Sequence, residues 1–174
     1  MGLDIYFKRV NKIDFQFAKK KENEDNNPYD KLELEDVGYF RKVNCLLPFF
    51  GYEDDCSIHP IEKCQIEDLV DTAKELLTIY GTFNAQLQLY KVDLESYKSD
   101  EKKTKLIHQK INNLWKPFET AAQEKLPATT GFFFGSTEYR DYYVADLEDI
   151  VDTFTKVLDE TDFDTDQILM YCWW

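Results

Sequence analysis

Apolar and polar side chains alternate from Leu3 to Val10, with Leu3, Ile5 and Phe7 set against Asp4, Tyr6 and Lys8. This period of two predicts a half-buried strand. The chain ends the same way: Ile168, Met170 and Cys172 alternate with Gln167, Leu169, Tyr171 and Trp173, which predicts a second strand over Gln167–Trp173. Phe40, Val43, Leu47 and Phe50 fall at near-helical spacing and predict a helix from Leu32 to Leu47. Pro48 disfavours helical geometry in the residue before it and ends the element there. Ser57–Lys63 reads as a short strand interrupted by Pro60, which places it at a sheet edge. The charged, Asn-rich stretch Lys19–Asp30 and the acidic stretch Gly51–Cys56 read as loops.

Two longer segments align with each other without gaps. Ile66–Leu77 (IEDLVDTAKELL) and Leu147–Leu158 (LEDIVDTFTKVL) both place apolar residues on one helical face. Both also carry carboxylates in the first turn, where the helix dipole favours them. Convergence on a good amphipathic pattern and a strand–helix duplication both account for the likeness. Either way, matched apolar faces predict that the two helices pack side by side on one sheet face. Between them, Thr82–Lys125 has helical composition, with a turn near Glu95–Lys105. Leu106, Ile107, Ile111, Leu114, Trp115 and Phe118 form a buried stripe there, and Pro117 and Pro127 bracket its end.

Composition narrows the function classes. The 174 residues carry a formal charge of -13, 43% hydrophobic content and 16% aromatic content. That is enough apolar material for one domain with a substantial core. The acidic balance argues against direct binding to nucleic-acid backbone, which needs clustered Lys and Arg, and against an anionic membrane surface. No apolar run approaches the ~20 residues of a membrane span. Met1–Tyr6 lacks the basic region and apolar core of a signal peptide. Tyr6 stands where a myristoylation pattern wants Ser or Thr. A cytoplasmic setting with reduced cysteines is expected.

The richest stretch is Thr129-Thr130-Gly131-Phe132-Phe133-Phe134-Gly135-Ser136-Thr137-Glu138-Tyr139. Three consecutive phenylalanines between two glycines predict a central strand over Phe132–Ser136, with aromatic rings offered to both faces. The polar cluster that follows brings two hydroxyls, a carboxylate and a phenol, more chemistry than a turn requires. Thr130, Phe133, Ser136, Thr137, Glu138 and Tyr139 are therefore candidate ligand-binding residues.

The Leu32–Leu47 segment supplies a complementary set. Glu35, Tyr39 and Lys42 share a face if it is helical, and Arg41 and Asn44 adjoin them. Tyr39, Arg41 and Asn44 are expected to meet Ser136, Thr137, Glu138 and Tyr139 around one pocket. The competing account is an Arg41–Glu138 ion pair that only ties helix to loop. Cys45, Cys56, His59 and Cys64 invite a zinc reading, but only Cys56-x-x-His59 has ligand-like spacing, so no metal is assigned. Asp54 and Asp55 would raise the Cys56 thiol pKa, which disfavours it as a nucleophile. There is no phosphate loop, nucleophile elbow or paired-His motif, so no catalytic residue or cofactor is assigned.

Met1–Tyr6, Glu35 with Tyr39–Asn44, Asp54–Cys56 and Thr130–Tyr139 together resemble a family of small phage and prophage proteins that begin Met-Gly-Leu-Asp-Met-Tyr. The Gly-Phe-Phe-Phe-Gly-Ser-Thr-Glu-Tyr block carries most of the specificity. The chain departs from the pattern at Thr82–Lys125, which is longer, and at Tyr171–Trp174, where Ser-Ser-Trp is typical. The resemblance implies a phage accessory setting in the cytoplasm of a bacterial host, with counter-defence among its roles, and not a particular reaction.

The sequence thus predicts a single α+β domain over residues 1–174, with 82–126 as a helical insertion. Its small, mostly antiparallel sheet would come from Leu3–Val10, Ser57–Lys63, Phe132–Ser136 and Gln167–Trp173, with helices packed on one face. The expected function is non-enzymatic binding of a small polar ligand such as a nucleotide, or of a host protein. The alternative is a small hydrolase or transferase with Glu138 as general base. A homo-oligomer is compatible with the sequence.

Overall fold

A computed structural model of the chain describes residues 2–20, 31–51, 58–131 and 134–173. The element order is β1 (Asp4–Asn11), α1 (Lys12–Lys20), β2 (Glu35–Arg41), α2 (Leu46–Phe49), β3 (His59–Ile61), α3 (Lys63–Ser96), α4 (Glu101–Lys125), α5 (Asp141–Glu160) and β4 (Asp166–Trp173). The fold is α+β. Its four strands form one sheet in the order β2-β1-β4-β3, and every neighbouring pair is antiparallel.

The two ends of the chain supply the two central strands. β1 and β4 pair from Asp4↔Trp173 to Asn11↔Asp166, so the alternations at both ends face the same way. Ile5, Phe7, Ile168, Met170 and Cys172 all enter the main core. β3 is an edge strand holding Pro60 opposite Leu169; an edge tolerates the missing N–H.

Two sequence expectations fail here. Leu32–Leu47 is not a helix: it is β2, then a turn, then the short α2, with Pro48 inside α2 and not beyond its end. Phe40, Val43, Leu47 and Phe50 are all buried as their spacing suggested, but an extended strand and a one-turn helix bury them. Val37, Tyr39 and Phe40 favour a strand, while Gly38 weakens a helix interior. Gly38 also leaves room for α5: a Cβ there would sit 3.1 Å from Thr153 Cγ2. The second failure is the strand expected at Phe132–Ser136. Residues Phe134–Ser136 are non-strand chain, and Phe132 and Phe133 lie outside the described residues. The place in the sheet is taken by β2.

α3 and α5 contain the two similar segments and pack against each other. Their buried residues, including Ile66, Leu69, Ala73, Ile150 and Phe154, belong to the same core as the sheet. Phe154 lies at the centre of an aromatic cluster, with its ring centroid 4.8 Å from Phe7 and 5.5 Å from Phe40. α3 starts with a reciprocal cap, in which the Glu62 N–H donates to Gln65 Oε1 at 2.9 Å. α3 and α4 form a long hairpin across the expected insertion, turning at residues 97–100. Pro117 lies inside α4, not at its end. Trp115, Phe118 and Ala122 are buried around it, and that packing outweighs the lost backbone hydrogen bond. Leu106, expected in the stripe, is largely exposed.

α1 covers part of the opposite sheet face, where Phe15 packs with Val10 and Leu169, joined by Leu32, Leu34 and Ile58. Elsewhere on that face Tyr6 stacks on Tyr171 at 4.9 Å and meets Tyr39 at 5.2 Å. No described helix is long and apolar enough to cross a membrane.

Because Phe154 contacts both β1 and β2 and is fully buried, Phe154→Ala should lower stability by about 3–5 kcal/mol. Urea denaturation would show the midpoint falling with little change in slope.

Candidate functional site

The end of β2 and the loop before α5 are built as one unit. Lys42 adopts a left-handed backbone, φ 63, which non-glycine residues rarely do. Its N–H donates to the Leu3 carbonyl at 2.8 Å, which holds the turn to the start of β1. Asn44 is buried and its Nδ2 donates to the carbonyls of Phe134 and Ser136, each at 3.1 Å. One side-chain amide therefore satisfies two loop carbonyls that would otherwise cost desolvation energy.

The glycines of the 129–139 motif have separate reasons. Gly135 has φ 91, and a Cβ there would stand 3.1 Å from Lys42 Cβ. A Cβ on Gly131 would stand 2.5 Å from the Phe134 ring. Both permit close approach.

These segments and the start of α5 enclose a cleft of about 390 Å³ lined by Arg41, Lys42, Asn44, Cys45, Gly135, Ser136, Glu138, Tyr142, Tyr143 and Asp146. Cys45 and Tyr143 are buried in its wall. Tyr143 donates its hydroxyl to the Leu126 carbonyl at 2.6 Å. Burial pushes both its phenol and the Cys45 thiol upward, so neither ionises near neutrality and Cys45 is no nucleophile.

Asp146 differs. It is half-buried, and burial, with Asp149 nearby, pushes its carboxyl up to about 7. It accepts no hydrogen bond from any described residue. Lys42 and Glu138 likewise have no charged partner among the described residues, and the carboxylate nearest Arg41 is Asp4, at 3.9 Å from Nε. The Arg41–Glu138 tie is therefore not formed.

Of the sequence candidates, Arg41, Asn44, Ser136 and Glu138 line the cleft together. Tyr139 is buried behind it, its hydroxyl accepting from the Ala128 N–H at 2.9 Å. Thr130 and Thr137 are exposed and do not line it. Tyr39 does not reach it either. In a strand, unlike a helix, Tyr39 points away from its neighbour Phe40, and its hydroxyl donates to Asp4 Oδ1 at 2.5 Å. Phe133 lies outside the described residues.

The sequence reading missed Cys45, Tyr142, Tyr143 and Asp146, and it grouped Lys42 with Tyr39 on a helix that does not form. The available signal was Tyr143 and Asp146 at i, i+3 beside the buried stripe of α5, a carboxylate where a core-flanking position usually prefers something neutral. Of the zinc candidates, Cys45 is buried, Cys64 is exposed, His59 is in β3, and Cys56 lies outside the described residues. No group of three His, Cys, Asp or Glu side chains among the described residues is placed to hold a metal ion.

Comparisons with known proteins find no matching family model, no similar curated protein and no similar solved structure. The geometry of the cleft therefore carries the functional reading.

Two outcomes test this geometry. Asn44→Ala leaves the Phe134 and Ser136 carbonyls without their donor and should cost about 1–3 kcal/mol, with faster hydrogen exchange in residues 134–138 than in α5. Asp146 titrates higher folded than its ordinary value of 3.8, so the folded chain holds this proton more tightly than the unfolded one. The associated stability is fully present below about pH 4 and is lost as pH rises toward 7. Asp146→Asn mimics the protonated form. It should melt above the unsubstituted protein at pH 8, with the difference closing as pH falls, read by thermal melts across that range.

Proposed function

We propose that this chain is a binding protein whose cleft at Arg41, Lys42, Ser136, Glu138 and Asp146 takes a small polar ligand. One observation carries the reading: Lys42, Glu138 and Asp146 surround a single concavity with no charged partner among the described residues. Asp146 is half-buried, where an ionised carboxylate without a partner is costly, and a ligand that donates to it recovers that cost. A concave site with a few convergent polar groups suits a small molecule better than the flat contact of a host protein. The resemblance to phage and prophage proteins supports a counter-defence role in an infected bacterium's cytoplasm, where sequestering a small signalling or substrate molecule is useful to the phage.

A second reading is favoured by Asp146. A carboxyl poised at about 7 suits general acid–base chemistry, so an enzyme on this site would use Asp146 in the role the sequence suggested for Glu138.

Native mass spectrometry of protein purified from a phage-infected host tests both. The expected result is a co-bound small molecule in the unsubstituted protein. Its occupancy should fall about tenfold in an Arg41→Gln/Lys42→Gln double variant with an unchanged melt. A ligand recovered unchanged after denaturation supports binding, and its conversion over time supports the enzyme. No bound mass, together with a double variant indistinguishable in biological activity, overturns the site.

A further inference from the structure

Resting on that reading, we propose that the cleft takes a nucleoside monophosphate, with its phosphate at Arg41 and Lys42 and the N–H-bearing edge of its base on Asp146, guanine being the best-matched base. The charge layout excludes simpler ligands. Both cations come from the end of β2 and the turn after it, while the carboxylates come from the loop before α5 and from α5 itself. A plain anion would meet Glu138 and Asp146 unpaired, and a plain cation would meet Arg41 and Lys42. The ligand must carry an anion and hydrogen-bond donors on one frame.

The anion end is built from two side chains. Lys42 is held by the Leu3 carbonyl, and Gly135 runs so close that a Cβ there would stand 3.1 Å from Lys42 Cβ. Its left-handed backbone is thus over-determined by its surroundings, as strained residues at functional sites tend to be. Arg41 is exposed beside it and offers the planar fork that matches phosphate. The first turn of α5 already carries Asp141, paired with Lys91 at 3.0 Å, so the anion would rest on these two side chains and not on the helix dipole.

The donor end is Asp146. A carboxylate has two acceptor oxygens, and guanine presents two parallel N–H groups, at N1 and the 2-amino group. Adenine and cytosine place a donor beside an acceptor, and uracil flanks its one N–H with carbonyls that a carboxylate repels. The wall between the two ends suits a ring. Cys45 and Tyr143 are buried there, and Tyr142, 84% exposed, offers a face at the mouth. The cleft volume of about 390 Å³ fits one nucleotide, and the net charge of -13 disfavours a polynucleotide.

Ionisation of Asp146 is needed for the guanine contact. The groups facing it are Asp149 on its own helix, Cys45 and Tyr143 in the wall, Glu138 from the loop, and Arg41 and Lys42 at the other end. Burial and Asp149 hold its carboxyl up, so the test belongs at pH 8.

Isothermal titration at pH 8 would compare GMP, AMP, CMP, UMP, guanosine and inorganic phosphate. GMP should bind most tightly, with UMP and inorganic phosphate at least about tenfold weaker. Lys42→Gln, or Arg41→Gln should that variant not fold, should weaken GMP about tenfold while leaving guanosine unchanged. Asp146→Asn should abolish the preference for GMP over UMP. GMP binding no tighter than UMP, or a preference that survives Asp146→Asn, overturns the assignment. A non-nucleotide mass in the native spectrum overturns this inference and leaves the binding reading standing; no bound mass, together with a double variant indistinguishable in biological activity and no GMP binding in the titration, removes both.

Discussion

Pairing of the chain's first strand with its last is the constraint on which the remaining architecture depends. β1 and β4 are the central strands of the sheet, so the β1–β2 pair and the β4–β3 pair become one sheet only when the two ends have met. The contact spans nearly the whole sequence, and closing so long a loop costs entropy before any contact rewards it. What offsets that cost is burial on both faces of the pair: Ile5, Phe7, Met170 and Cys172 on the side of α3 and α5, and Val10 and Leu169 on the side of α1.

The cleft inherits its position from this pairing. The Leu3 carbonyl, just ahead of β1, accepts the Lys42 N–H and so sets the turn that leaves β2. Two residues on, the Asn44 amide reaches the carbonyls of Phe134 and Ser136 and brings the 134–138 loop to the same place. α5 completes the wall because its buried stripe, from Tyr143 to Val157, is already committed to the core. The β2 turn and α5 are thus held by contacts outside the cleft, and Asn44 fixes the loop to them, which favours a preorganised site.

Ion pairs brace several of the elements around the cleft. Lys91–Asp141, Lys125–Glu75 and Arg140–Glu119 are paired at 2.8–3.0 Å, and the Arg140 guanidinium lies over Trp115 as well. Lys42 has no charged partner among the described residues and sits in a left-handed turn. A left-handed backbone at a residue other than glycine, held by its surroundings, is the kind of strain that clusters at functional sites.

Amphipathic period alone determined β1, β4, the edge strand at Pro60, and the helices holding Ile66–Leu77 and Leu147–Leu158, because each shows one face consistently to one core. The meeting of Arg41 and Asn44 with Ser136 and Glu138 was legible as well, since the two blocks carry complementary chemistry. Tertiary structure alone decided that Glu35–Arg41 is a strand. Four apolar residues at near-helical spacing fit either a helix or a strand followed by a tight turn, and the open edge of β1 settles the choice by offering hydrogen bonds that only an extended chain can accept. That choice turns Tyr39 away from the cleft. The raised carboxyl of Asp146 was also beyond the sequence, although its place beside the buried stripe of α5 was not, because its first cause is burial, a property of the packed fold and not of the residue.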